Sequence, residues 1–338
     1  MKRRVAHISE REAMKLPRRN FLHLAAGVAA LPVLSCIARA QAYPSRPVRI
    51  IVGFPPSGGT DITARLIGQW LSERLGQQFV IENRPGAGTN IATEAVVRAP
   101  ADGYTLLLVT ASNAFNATLY DKLNFNFIGD IAPVAGIMRV PSVMLVHPSV
   151  PAKTIPELIA YANANLGKIN VASGSIGGPG HVAAELFKMM TGTDMPLVPY
   201  RGGGPALVDL LAGQVQVGFI TAAASIEYIK TGRLRALAVT TATRSETLPN
   251  IPTVGEFVPG YEASFWYGIG APRNTPAKII DTLNKQVNAA LDDPKMNARL
   301  ADLGGVALPG SPAEFGKLIA DETEKWAKVI KFAGIKAD

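Results

Sequence analysis

The sequence predicts an α/β protein in which helices cover both faces of mainly parallel sheets. Short runs rich in β-branched residues alternate along the chain with segments of helical periodicity. The strand runs are mostly apolar and show no clean alternation with polar residues, as expected when both faces of a sheet are covered. The chain has 338 residues and is 48% hydrophobic and 18% charged, which fits about two domains and excludes a disordered or fibrous chain.

The predicted strands cover residues 48–54, 79–83, 105–110, 169–173, 197–200, 215–220, 234–240 and 265–270. The helices between them carry start and stop signals. Gly76 ends the first, and capping boxes begin at Thr154 and Ser311. A further helix begins at His181, another runs from Gly204 to Gly213, and a third begins after residues 275–276.

The positive charge of the chain is concentrated in residues 1–42. This segment holds eight basic and two acidic residues, whereas the rest holds 26 and 24. The near balance of the larger part argues against a nucleic-acid partner. The single cysteine, Cys36, also lies in the segment, so the rest can form neither a disulfide nor a thiolate metal site.

Residues 1–42 are predicted to be an export signal. Arg18 and Arg19 precede an apolar stretch at 24–37, and small residues at 38–42 offer two cleavage sites. The arginine pair is typical of a twin-arginine signal. A lipoprotein anchored through Cys36 and a retained membrane anchor are the weaker alternatives. We therefore expect a periplasmic protein.

Two glycine-rich loops each join a predicted strand to a helix, at 54–61 and 173–181. Glycine lets backbone N–H groups turn toward a ligand, and a helix N-terminus adds unpaired donors. Both loops are therefore candidate anion sites, and a third such segment spans 200–205. The alternative is that these are ordinary turns that need glycine for their geometry.

The same residues are compatible with other kinds of site. Residues 86–88 lack the third glycine of a dinucleotide fingerprint. Ser175 with His181 is a possible hydrolase pair, and His181 with Glu185 a possible metal pair, but neither has a supporting cluster. Asp61 is interpreted either as a helix cap or as an acceptor for a ligand. Arg201 either pairs with a ligand carboxylate or faces solvent.

Nearly all of residues 43–335 resembles the Bug family of periplasmic solute-binding proteins, the extracytoplasmic receptors of tripartite tricarboxylate transporters. The matching segments occur in order and include Phe-Pro-Pro-Ser-Gly-Gly-Thr-Asp at 54–61 and Pro-Tyr-Arg-Gly-Gly at 199–203. The full set of segments is 43–52, 54–61, 82–88, 102–107, 198–203, 234–240, 248–254 and 271–276.

The resemblance implies a two-lobed, type II-like Venus-flytrap fold, with one lobe formed by 43–139 and 265–338 and the other by 140–264. It implies a small organic carboxylate bound between the lobes, membrane transporter subunits as partners, a monomer, and neither catalysis, metal nor cofactor. A hydrolase or isomerase, and a sensory receptor without transport, are the alternatives. Family patterns often have a hydroxyl at Gly178 and Asp at Ile220, so the identity of the ligand stays open.

Residue by residue, the loops and the resemblance together give the predicted ligand-binding set. Residues 110–113 supply a third pocket loop and 221–222 a fourth. The full set is Phe54, Ser57, Gly58, Gly59, Thr60, Asp61, Thr110, Ser112, Asn113, Ser173, Gly174, Ser175, Gly177, Gly178, His181, Tyr200, Arg201, Thr221 and Ala222.

Overall fold

The computed structural model describes residues 43–174, 176–200, 203–245 and 247–337. The predicted export signal, Ser175 and Arg201 therefore lie outside the described residues. None of the described helices combines the length and the apolar character needed to cross a membrane.

Eleven strands occur in the described part of the chain, and they form two sheets. In chain order the strands are β1 (Val48–Val52), β2 (Phe79–Asn83), β3 (Thr105–Thr110), β4 (Ile131–Val140), β5 (Ser142–Val146), β6 (Val171–Ser173), β7 (Leu197–Pro199), β8 (Val217–Thr221), β9 (Arg235–Val239), β10 (Phe265–Pro272) and β11 (Val306–Ala307).

The first sheet has six strands in the order β11-β4-β10-β3-β1-β2, and the second has five in the order β7-β6-β8-β5-β9. Both sheets are mixed. In the first, β10 and β11 run against the other four strands. In the second, only β5 runs against the rest. Of the nine strand pairings among the described residues, four are parallel and five are antiparallel, so neither sheet is mainly parallel. Two mixed sheets joined by helices still agree with the predicted two-lobed α/β class.

Eleven α-helices and two short 3₁₀ turns, Ala87–Thr89 and Val254–Glu256, connect the strands of the described residues. The helices are α1 (Gly59–Leu75), α2 (Asn90–Val97), α3 (Ala111–Leu119), α4 (Phe127–Asp130), α5 (Ile155–Ala164), α6 (Pro179–Thr191), α7 (Gly203–Leu211), α8 (Ala222–Lys230), α9 (Ala277–Leu291), α10 (Pro294–Asp302) and α11 (Pro312–Ala333).

The predicted start and stop signals act in the structure as their chemistry requires. The Thr154 hydroxyl accepts from the Glu157 N–H at the start of α5, and the Ser311 hydroxyl accepts from the Glu314 N–H at the start of α11. Gly76 ends α1 in the left-handed conformation at φ 71°.

All eight predicted strands are found, within a few residues at their ends, but three strands were missed as such. The longest, β4, contains Pro133 and Gly136, which break the pattern expected of a strand. It pairs with β10 through two register shifts, so the sheet accommodates both residues at irregular positions. Strand β5 lies just after the predicted lobe boundary at residues 139–140, and β11 has just two residues.

The chain passes from the first sheet to the second at Pro141, between β4 and β5, and returns between β9 and β10. Helix α11 packs beside the return segment. Its Lys325 Nζ donates to Glu262 Oε2 at 2.9 Å, and Arg139 of β4 lies 3.4 Å from Glu262 Oε1. Trp266 and Trp326 are fully buried in the same region. Both passages are therefore held against one helix by ionic and apolar contacts.

Candidate functional site

Loops from the two sheets face each other across a cavity of about 400 Å³. Strands β1, β2 and β3 are parallel, so their carboxyl ends bring three loops to one edge of the first sheet. The parallel strands β6, β7 and β8 do the same in the second sheet. The cavity is lined by Gly53, Phe54, Pro55, Pro85, Gly86, Gly88, Thr89, Ser112, Asn116, Leu119, Tyr120, Ile176, Gly177, Gly178, Pro179 and Ala337. This lining contains no charged side chain.

The loop after β1 turns sharply into α1. Ser57 adopts a left-handed conformation at φ 70°, and the exposed Gly58 and Gly59 form the start of the helix. Of this loop's predicted residues, Phe54 lines the cavity. The hydroxyl of Thr60, which is 8% exposed, lies instead beside the phenol of Tyr267 on β10, a residue that sequence reasoning missed.

Asp61 faces its own loop. Its Oδ2 accepts from the Ser57 N–H and from Arg65 Nε, both at 2.9 Å, and its Oδ1 accepts from Asn83 Nδ2 at 2.9 Å. The residue is 2% exposed. Burial would raise the pKa of this carboxyl, but the hydrogen bonds from Arg65, Ser57 and Asn83 hold it below its ordinary value. Its acceptors are used to hold the loop, so the contacts support the structural interpretation of Asp61 over the ligand acceptor.

The segment 110–113, predicted to be a pocket loop, is instead the end of β3 and the first turn of α3. Asn113 Oδ1 accepts from the Thr110 N–H at 2.8 Å, and its Nδ2 donates to the hydroxyls of Thr89 and Thr93. Asn113 is 3% exposed, so its amide ties the first sheet's loops together rather than pointing into the cavity. Ser112, between them, does line the cavity.

A third wall of the cavity, residues 85–89, was absent from the predicted site. Gly86, Ala87, Gly88 and Thr89 all have positive φ, between 44° and 132°. Two of these residues are not glycine, so the conformation is strained and must be held by its surroundings. Asn116 Nδ2 holds it by donating to the Gly88 carbonyl at 2.6 Å. The Pro-Gly-Ala-Gly sequence at 85–88 is typical of a turn, and a turn signal does not show that a segment lines a binding site.

The loop after β6 forms the opposite wall. Gly177 has φ 63°, and its N–H donates to His181 Nδ1 at 2.9 Å. His181 is 7% exposed on the first turn of α6. The structure therefore places Gly177 and Gly178 at the cavity and places the His181 imidazole behind them, as an acceptor for the loop. Ser173, just before the loop, is 1% exposed.

The His181 ring stays neutral near pH 7. Burial lowers its pKa, Glu185 raises it and Lys188 lowers it, with a net lowering. Glu185 Oε1 lies 3.9 Å from His181 Nε2 and accepts from Lys188 Nζ at 2.9 Å. Within the described ranges, no group of three or more His, Cys, Asp or Glu side chains is arranged to hold a metal. Among the described residues, His181 and Glu185 therefore have no third side chain with which to form a metal site.

A second cavity, of about 350 Å³, lies at the same edge of the five-stranded sheet. It is lined by Gly174 and Thr221 from the predicted set, and by Gly203 and Gly204 at the start of α7. Tyr200 does not line it. The Tyr200 hydroxyl donates to Asp209 Oδ2 at 2.8 Å, and burial together with this carboxylate raises the pKa of Tyr200 to about 12. Ala222 is 2% exposed and begins α8.

The structure thus brings only part of the predicted set to the 400 Å³ cavity between the two sheets, which is called the main cavity below. Phe54, Ser112, Gly177 and Gly178 line it. Thr60, Asp61, Thr110, Asn113 and His181 are buried beside it. As contacts to a ligand, all of these residues stay predictions.

Comparison with known proteins assigns the family. The family model for the tripartite tricarboxylate transporter family receptor matches residues 63–335. BugT of Bordetella pertussis is 38% identical over 300 residues, which cover 88% of this chain and 92% of that protein.

Solved structures agree. That of R. palustris Rpa4515 with adipate is 39% identical, with a TM-score of 0.75, and covers 87% of this chain and 99% of its own. That of MatC from Rhodopseudomonas palustris with bound malate is 31% identical, with a TM-score of 0.71, and covers 85% and 100%. The periplasmic binding protein BugD is 33% identical, with a TM-score of 0.72, and covers 88% and 100%.

The two facing sheets, the loops at their carboxyl edges and these similarities agree with one another and with the resemblance drawn from the sequence. The chain belongs to the tripartite tricarboxylate transporter receptor family, and it is a periplasmic solute-binding protein of the Bug type rather than an enzyme.

Proposed function

We propose that the protein binds a small organic carboxylate in the cavity between the two sheets and delivers it to membrane transporter subunits. The observation that carries the proposal is the cavity itself, whose lining comes from the loops after β1, β2 and β3 on one side and after β6 on the other. A volume of about 400 Å³ suits a small molecule. Relatives with adipate and with malate bound support this ligand class.

The carboxylate is held by backbone N–H groups and hydroxyls rather than by a cation of the cavity lining. The described lining has no Lys or Arg, but it includes the hydroxyl of Ser112 and the start of α6 at Gly178 and Pro179. Unpaired N–H groups in the first turn of a helix favour an anion. Arg201, which lies outside the described residues, is the alternative: a side-chain ion pair.

Ligand binding closes two lobes, built from residues 43–139 with 265–338 and from 140–264. The single passage at Pro141 and the return between β9 and β10 support this division. Hinge closure around a ligand is a common mode of such folds. The protein acts as a monomer and reaches the periplasm by the twin-arginine route, after its signal is cleaved at one of the two sites within residues 38–42. N-terminal sequencing of periplasmic protein should begin at Gln41 or Tyr43, and a chain starting at Met1 would contradict removal.

Calorimetry with adipate and malate tests the binding proposal, with adipamide as a neutral control of matched shape. We expect saturable 1:1 binding of at least one acid and no binding of the diamide. Turnover of the acid, or equal binding of the diamide, would contradict the proposal. In the same assay, Arg201→Ala should change the affinity only a few-fold. Loss of binding in that variant would show that an ion pair carries the site.

A further inference from the structure

The His181 imidazole and the Gly177 peptide form a short connection within the wall of the main cavity. The Gly177 N–H donates to Nδ1 at 2.9 Å, and both residues are buried. A ring nitrogen that accepts a hydrogen bond carries no proton, so this contact assigns the neutral tautomer with the proton on Nε2.

This contact changes which backbone groups are free to meet a ligand. The Gly177 N–H is already used inside the wall. The glycine is also left-handed at φ 63°, a conformation that needs an outside constraint to be held in one place. The hydrogen bond to His181 supplies that constraint, and the ring is itself fixed on α6.

The charged surroundings of His181 are few. Glu185 and Lys188, on its own helix, are the described charges that act on the ring. Strands β6 and β8, which pack against α6, carry no charged residue. Helix α11 also packs against α6 and carries several charges, but Lys325 is held by Glu262 and Glu322, and Lys328 is paired with Glu324.

We propose that His181 is a positioning residue of the binding site: its unprotonated Nδ1 holds the Gly177 loop in the shape that accepts the ligand. This inference rests on the proposed function. Protonation would turn Nδ1 from an acceptor into a donor facing the Gly177 N–H, so the loop would be released. Affinity is therefore present when the imidazole is neutral and is lost as the pH falls through the pKa of His181.

Three variants separate positioning from simple filling of space. In His181→Asn, the side-chain oxygen stands near the Nδ1 position and accepts without titrating, whereas His181→Leu has a similar size and cannot accept. His147→Asn is the control, because His147 is a half-buried residue that lines neither cavity and whose Nδ1 contacts Ser149 Oγ. Calorimetry with adipate and malate between pH 4.5 and 8 gives the affinities. We expect His181→Leu to bind about tenfold more weakly at every pH, and His181→Asn to stay within a few-fold of wild type.

The dependence of affinity on pH distinguishes positioning by the neutral imidazole from a merely structural role, which would leave this dependence unchanged. The acids titrate in the same range, so wild type is compared with His181→Asn, which reports the titration of the ligand alone. Wild type and His147→Asn should lose about tenfold more affinity in acid than His181→Asn does. The same acid loss in His181→Asn, or a folded His181→Leu with wild-type affinity, would overturn the proposal.

A measurement without ligand keeps this inference separate from the proposed function. In ¹⁵N NMR spectra of the free protein, the Gly177 amide should shift with a single-proton titration that matches the His181 ring, and His181→Asn should abolish the shift. If wild type binds no acid but this titration is seen, the proposed function fails and the positioning contact stands. A Gly177 amide that does not follow the His181 ring overturns the contact itself.

Discussion

Gly177 and Leu119 meet across the cavity, one from the loop after β6 and the other from the end of α3. A β-carbon added at Gly177 would lie 2.6 Å from Leu119 Cδ2, closer than such atoms approach in proteins. The two walls are thus already in contact at this point. Any side chain at position 177 has to push the walls apart or displace the leucine.

We expect Gly177→Ala to weaken ligand binding by about tenfold, and Gly192→Ala to leave binding unchanged. Both glycines are left-handed, at φ 63° and 68°, so both variants should lose roughly 1 kcal/mol of folding stability. Gly192 has open space around its α-carbon, whereas Gly177 faces Leu119. Calorimetric affinity with denaturant unfolding checks both effects, and equal affinities for the two variants would show that the contact does not affect binding.

Asp61→Ala should destabilise the fold by about 2 kcal/mol at pH 7, because the carboxylate holds Ser57, Arg65 and Asn83. The folded pKa of Asp61 lies below its ordinary value of 3.8. Its stabilisation is therefore full above the unfolded pKa and is lost as the pH falls through the folded one. Urea unfolding of wild type and variant should give curves that converge in acid. The exposed Asp281→Ala serves as control, and a difference that persists unchanged in strong acid would refute this account.

Lys325→Met should cost about 2 kcal/mol, and Lys328→Met less than about 0.5 kcal/mol. Both lysines are on α11 and both are paired. Lys325 contacts Glu262 and the buried Glu322, whereas Lys328 and Glu324 are mostly exposed. Thermal and denaturant unfolding provide the comparison. Equal losses would mean that the contact between α11 and the return segment adds nothing to stability.

Small-angle scattering should show the radius of gyration falling when adipate or malate saturates the protein. The reason is that two chain passages, at Pro141 and between β9 and β10, connect the two sheets and permit a hinge. The Gly177→Ala protein should stay more extended at the same ligand occupancy, because its added methyl group meets Leu119. No change in wild type at confirmed saturation would argue against closure.

The fold could be predicted largely from the sequence because its signals are local. Apolar runs such as β1 and β3, and caps such as Thr154 and Ser311, mark elements whatever packs against them. Strand β4 escaped because Pro133 and Gly136 are acceptable only where β10 shifts register, and that partner lies more than a hundred residues away.

The site was predicted less fully, for a different physical reason. Residue type indicated polar chemistry at Asp61, Asn113 and His181, and that chemistry exists. The hydrogen-bond partners of these side chains are other groups of the protein, Arg65, Thr93 and Gly177. A sequence pattern shows that a hydrogen-bond donor or acceptor is present, but it does not show whether a ligand or another part of the protein is its partner. Residues 86–89 were not predicted to be part of the site, since main-chain strain leaves only a turn signal in the sequence.

The positions of the three tryptophans determine what the intrinsic fluorescence of the protein can report. Trp266 and Trp326 are fully buried beside the two passages, and Trp70 donates its indole N–H to the Gln286 carbonyl on α9. None of the three lines the main cavity. A bound molecule therefore cannot quench their fluorescence by direct contact, and a change in emission on adding ligand would report movement of the backbone between the sheets. If the proposed closure occurs, the intrinsic tryptophan emission would report it without a dye or label.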